Sequence, residues 1–135
     1  MDRVITLAID VEAAPDRLFA ILSRAEGQRG FWTSDCDVST DRARFGFDGA
    51  PVDLEVDVTT DPGKLVRMTV RSGFPHWKGS KWEWELTPAT SPGTGALVLF
   101  RHYDFEPGYG KVSLGHTAET WALILDRLAS FIVSG

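Results

Sequence analysis

Cysteine is almost absent: Cys36 stands alone, so no intrachain disulfide can form, and the chain must hold together by packing. Long apolar runs are missing too. None is longer than WALIL at positions 121–125, too short to span a bilayer, and the N-terminus lacks a charged-then-apolar export pattern. Together these point to a cytoplasmic protein. The 14 Lys and Arg are scattered, net charge is −5, and Asp53, Glu55, Asp57 and Asp61 form an acidic run, which argues against a nucleic-acid partner. Cys36, His76, His102 and His116 show no ligand spacing for a metal. There is no glycine-rich phosphate loop before a helix and no GxSxG elbow, so no cofactor is expected. Repeats and low-complexity tracts are also lacking.

What is present is a chain of 135 residues, 43% hydrophobic and 24% charged, which fits one domain, 1–135, with one core. Its C-terminal stretch, 113–133, reads as one long helix. Leu114, Ala118, Trp121, Leu125, Leu128 and Ile132 recur at steps of four and three and form an apolar stripe that needs a surface to cover. The preceding residues supply one. Residues 3–12 alternate, with Ile5, Leu7, Ile9 and Val11 on one face, as a half-buried strand does. Pro15 and Asp16 open a short helix, and a second turn of helix covers 24–30. Strands are then expected at 35–40, 43–47, 54–58, 64–71, 81–87 and 96–104. Turns at Asp48-Gly49 and Asp61-Pro62-Gly63 and a loop at 91–95 separate them. The fold class is α+β, a curved seven-stranded antiparallel sheet wrapped around the long helix with two short helices after strand one.

The last strand allows two faces. Val98, Phe100 and His102 point inward in one register; in the other, Leu97 and Leu99 do, carrying Arg101 and Tyr103 with them. The first keeps Arg101 in water. Glu83 and Glu85 fall on the outward face of their strand, where solvated carboxylates are expected rather than acid–base work. Cys36 reads as a small buried hydrophobe, and His76 and His116 as exposed side chains.

Four places carry a resemblance: Phe31-Trp32-Thr33; Trp77-Lys78-Gly79-Ser80 followed by Trp82-Glu83-Trp84-Glu85-Leu86; His102-Tyr103-Asp104; and Trp121 with its following leucines. Through their order and spacing the chain resembles the SRPBCC superfamily. This helix-grip fold is shared by START lipid-transfer domains, pollen allergens, polyketide cyclases and the chaperone ATPase activator-like group. The activator-like and cyclase-like bacterial members are the nearest. The resemblance implies a cavity between sheet and helix and places a strand-end histidine on its lined side, which favours the first register.

The inward faces suggest the lining: Trp32, Phe45, Phe47, Met68, Trp82, Trp84, Phe100 and His102, with Trp121 and Leu125 from the helix. Such side chains suit a flat or greasy small molecule, lipid- or polyketide-like. A loop at 72–79 with Phe74, His76 and Trp77 is unusually apolar for a connection and is expected to gate the cavity, with 105–110 as the opposite lip. The primary expectation is a cofactor-free small-molecule binding protein, monomer or homodimer. Two alternatives stand beside it. One is a cyclase- or aromatase-like enzyme in which His102 or Tyr103 moves protons; the other is a chaperone-activator-like interaction protein.

Overall fold

A computed structural model describes residues 3–89 and 95–134, so most of the loop expected at 91–95 lies outside the described residues. The element order is β1 (Ile5–Val11), α1 (Pro15–Ser23), α2 (Ala25–Phe31), β2 (Asp35–Val38), β3 (Arg42–Gly46), β4 (Leu54–Asp61), β5 (Leu65–Ser72), β6 (Lys81–Pro88), β7 (Ala96–Tyr103) and α3 (Lys111–Ser134). The seven strands form one antiparallel sheet in the order β1-β7-β6-β5-β4-β3-β2. Strands β2 to β7 are a meander of sequential neighbours, and β1 is added beside β7. The chain must therefore cross from one sheet edge to the other between β1 and β2, and α1 and α2 make that crossing. This is the α+β helix-grip architecture that the resemblance implies.

Period-two alternation decides the sheet's faces. Leu54, Val56 and Val58 on β4, Val66, Met68 and Val70 on β5, Trp82, Trp84 and Leu86 on β6, and Val98, Phe100 and His102 on β7 are all buried. The register is continuous across them: Met68 faces Trp82, Trp82 faces His102, and His102 faces Ile5. The last strand thus takes the face that turns His102 inward. At 61–64 the turn closes with Lys64 N–H donating to the Asp61 carbonyl at 2.9 Å, and Gly63 supplies the positive φ of 75°.

The stripe that α3 buries differs from the expected one by part of a turn. Thr117, Trp121, Ile124, Leu125, Leu128 and Ile132 are buried, whereas Leu114 and Ala118 are only half-buried. Thr117 can go inside because its hydroxyl donates to the Ser113 carbonyl at 2.8 Å, which removes the cost of burying it. No helix among the described residues is long and apolar enough to cross a membrane.

The outward face also departs from expectation at one residue. Glu85 is partly exposed, but Glu83 is only 5% exposed because side chains on either side fold over it. Its carboxylate accepts from Arg67 Nε at 2.9 Å, Tyr103 Oη at 2.7 Å and Arg101 at 3.1 Å. Burial pushes its pKa up, but the bonds from Tyr103 and Arg67 and the two cationic partners outweigh burial, and the net shift is downward. Glu83 therefore contributes stability that is fully present above the ordinary carboxylate range and is lost as pH falls through its depressed folded value.

The α1–α2 junction is the tightest approach of backbone. The Gln28 amide donates to the Leu22 carbonyl at 2.8 Å, satisfying one of the carbonyls that end α1. Gly27 lies against that same end, where an added Cβ would sit 1.9 Å from the Ile21 carbonyl oxygen. Gly27→Ala is expected to cost about 1–3 kcal/mol, read as a lower melting temperature; an unchanged midpoint would show that the junction opens freely. Glu83→Gln is expected to destabilise by about 1–3 kcal/mol at pH 7, with the difference from the parent closing as pH falls below 4. A pH-independent difference in denaturant titrations would refute the charged role of Glu83.

Candidate ligand-binding groove

The interior is organised by tryptophan. Strand alternation puts Trp82 and Trp84 on the inner face of β6, α3 brings Trp121 down onto them, and the end of α2 delivers Trp32. Trp121 to Trp32, Trp32 to Phe47, Phe47 to Phe74 and Phe74 to Trp77 stand 5.3, 5.4, 5.6 and 5.1 Å apart between ring centroids. Trp77 then meets His102 edge-on at 4.6 Å, and His102 returns to Trp121. The rings make a closed circuit with Trp82 at its centre, 5.7 Å from Trp32, 6.2 Å from Trp77 and 5.5 Å from Trp121. Edge-to-face and tilted pairs of this kind add about 0.5–1.5 kcal/mol each beyond area burial.

His102 is fully buried and bonded at both ring nitrogens. Trp121 Nε1 donates to Nδ1 at 3.0 Å, and Nε2 lies 3.0 Å from the hydroxyl of buried Ser80. Because an indole nitrogen is only a donor, Nδ1 must be bare and the proton must sit on Nε2. A second proton would displace the Trp121 bond, and burial alone pushes the pKa down to about 3. The imidazole is thus a neutral tie between sheet and helix.

A groove of about 550 Å³ runs along α3 beside this circuit. Trp32, Phe47, Phe74 and Trp77 form one wall; Ser113, His116, Thr117, Thr120, Trp121, Ile124 and Arg127 form the other, and Tyr109 stands at the Ser113 end. That end is laced shut. Trp77 Nε1 donates to Tyr109 Oη at 3.0 Å, and Tyr109 Oη is hydrogen-bonded to Thr117 Oγ1. Since the Thr117 proton goes to the Ser113 carbonyl, Tyr109 is the donor in that bond. The loop at 105–110 does not face the loop at 72–79 across the groove. The two lie side by side, with Glu106 N–H donating to the His76 carbonyl at 3.1 Å and the His76 ring 3.6 Å from the Glu106 carboxylate.

The residues expected to line a cavity separate into two sets. Trp32, Phe47 and Trp121 border the groove, as do Phe74 and Trp77. Phe45, Met68, Trp82, Trp84, Phe100, His102 and Leu125 are fully buried behind it as core. His76 stays at the rim of its loop, exposed and with φ of 66°. Tyr103 points to the opposite face of the sheet, bonded to Glu83, so it and His102 cannot act on one substrate. His116 is exposed yet borders the groove. Sequence reading missed Tyr109, Ser113, Thr117, Thr120, Ile124 and Arg127. A signal existed: 113, 117, 120, 124 and 127 repeat at steps of four and three, a ridge adjoining the apolar stripe.

The buried indole N–H groups of Trp82 and Trp84 have no acceptor among the protein groups described. A buried donor left unpaired costs about 1–3 kcal/mol. A larger depression, about 730 Å³, lies around Arg29, Asp37, Arg42, Arg44 and Arg71, but its charges are already mutually neutralised. Arg44, for example, binds Asp35, Asp37 and Asp53 at 2.8, 2.9 and 3.1 Å. Among the described residues no group of three or more His, Cys, Asp or Glu is placed to hold a metal.

No protein-family model matches the chain, and no curated protein sequence does. Solved structures match it over nearly its whole length. The Aha1 dimer from Colwellia psychrerythraea, determined in solution, gives a TM-score of 0.78 at 22% identity over 96% of this chain and 95% of that one. MLL2253 from Mesorhizobium loti gives 0.77 at 17% identity, covering 96% and 97%. CalU16 from Micromonospora echinospora gives 0.71 at 17% identity, covering 96% and 75%. The shared property at these identities is the fold.

The geometry at His102 makes a spectroscopic prediction. The imidazole nitrogens are expected to show one protonated and one bare nitrogen from pH 8 to pH 5, with the proton on Nε2; titration near pH 6.5 would rule this out. Because the unfolded chain takes up this proton near 6.5 and the folded one near 3, the residue lowers stability as pH falls through that window, by about 1.4 kcal/mol per unit. His102→Gln should be less acid-sensitive than the parent, whatever its stability at pH 7.

Proposed function

We propose that this chain is a binding protein for an apolar or aromatic small molecule, held in the groove between α3 and the wall formed by Trp32, Phe47, Phe74 and Trp77. The groove itself carries the reading. Its volume of about 550 Å³ falls in the range of small-molecule sites, and its lining is mostly apolar surface, aromatic on one wall, with a few hydroxyls to orient a ligand. A carrier or sensor fits better than an enzyme. His102 lies behind the groove with both nitrogens engaged, and the Tyr109 proton is committed to Thr117. That leaves His116 at the exposed rim as the one imidazole bordering the groove, where general acid–base work calls for groups held at defined positions. Cys36 is buried, and burial raises its thiol pKa, so it is a packing residue compatible with a cytoplasmic carrier.

The test uses 1-N-phenylnaphthylamine, an uncharged dye whose emission rises in apolar sites, together with Thr120→Trp. Thr120 borders the groove but is exposed, so a larger side chain there fills the groove without entering the core. Dye affinity is expected to fall about tenfold or more while the melting temperature stays within a few degrees. Unchanged affinity in the variant would place the dye elsewhere and sink the reading. Native mass spectrometry adds an independent check: a stoichiometric extra mass that disappears on unfolding gives the size of a retained ligand.

A further inference from the structure

The two ends of the proposed groove differ chemically. From Ser113 to Arg127 along α3 is about 21 Å at the helical rise of 1.5 Å per residue, the span of an extended chain or several fused rings. The Ser113 end presents hydroxyls whose protons are committed inside the protein. The other end presents Arg127, the one permanently charged side chain among the residues that border the groove. No aspartate or glutamate borders it.

Six of the ten arginines pair with carboxylates among the described residues, and Arg3 and Arg17 donate to backbone carbonyls; Arg24 and Arg127 do neither. Arg44 is neutralised by three aspartates, and Arg67 and Arg101 share Glu83. Arg127 enters none of the described ion pairs, and its neighbours one turn away on α3, Leu123, Ile124, Ser130 and Phe131, are all uncharged. The chain as a whole carries 19 acidic against 14 basic residues, so an anion approaching most of its surface is repelled. An acid-free apolar groove ending in a guanidinium with no described carboxylate partner is a place where that repulsion is reversed. Leu123, 60% exposed beside Arg127, extends the apolar surface to the charged end.

We propose that the ligand of this groove is an elongated amphipathic monoanion, a long-chain or aryl-alkyl carboxylic acid whose apolar body lies against Trp121, Trp32 and Phe47 and whose carboxylate meets Arg127. The proposal rests on the binding reading above and adds the ligand's charge, its polarity and its direction in the groove. A guanidinium matches a carboxylate with two parallel N–H donors, which fixes orientation as well as affinity. Because the pair is at an exposed rim, its contribution is modest and sensitive to salt.

Dodecanoate below its critical micelle concentration and dodecanol below its aqueous solubility limit compete for the groove against 1-N-phenylnaphthylamine in the parent, Arg127→Gln and Arg127→Lys. Dodecanoate is expected to displace the dye about five- to twentyfold more tightly than dodecanol in the parent. Arg127→Gln should remove that preference while leaving dodecanol unchanged, Arg127→Lys should restore part of it, and added salt should weaken dodecanoate alone. Equal displacement by acid and alcohol in the parent, or a preference that survives Arg127→Gln, overturns the assignment of Arg127 while the groove stands. Failure of the dye to bind, or its binding unchanged by Thr120→Trp, removes the groove reading and this one together.

Discussion

The hydrogen bond from the Trp121 indole to the His102 imidazole is the constraint on which the interior depends. It joins the middle of α3 to the inner face of β7 inside a hydrocarbon environment, where a missing partner on either side costs about 1–3 kcal/mol. The bond sets three things at once. It fixes the imidazole tautomer, since indole can only donate. It fixes the rotation of α3 about its axis, because Trp121 must point its nitrogen at the sheet. With Ser80 on the other ring nitrogen, it also ties the end of the loop at 72–79 to the same point.

Once that rotation is set, the rest of the inner geometry follows. Thr117 and Ile124 turn partly inward beside Trp121, and Ser113, Thr120 and Arg127 come to lie along a trough that the sheet does not fill. The aromatic circuit is the trough's inner wall. Its members come from the residues that follow α2 and β3, the β5–β6 loop, β7 and α3, so no single segment could make it. Trp82 at its centre has an indole N–H without an acceptor among the protein groups described.

The outer face solves a different problem. A sheet covered on one side must present its second face to water, and here it does so with charges that satisfy each other across neighbouring strands. Arg67, Glu83 and Arg101 stand in register on β5, β6 and β7, so the ladder geometry brings them together without further design. Arg44 gathers Asp35, Asp37 and Asp53 in the same way near the β2 edge, and those partners raise its pKa further. These networks neutralise the arginines on that face, whereas Arg127 on α3 enters none of the described ion pairs and borders an acid-free groove.

Although it left two faces open on the last strand, the residue pattern by itself determined the element order, the α+β class, the inner faces of the strands before the last and the long closing helix. Each of these depends on a period of two or three to four residues that one segment carries alone. It also put Trp32, Phe47 and Trp121 among the lining residues and Phe74 and Trp77 in a gating loop. It did not separate these from Trp82, Trp84, Phe45 and Phe100, because inward-facing core and inward-facing groove wall have the same periodicity and composition. Only the tertiary structure decided that division, together with the burial of Glu83, the side-by-side placing of the loops at 72–79 and 105–110, and the groove ridge from Ser113 to Arg127. A groove is a gap between elements, set by the rotation and separation of α3 over the sheet, and those are fixed by contacts such as Trp121 to His102 between residues 19 positions apart.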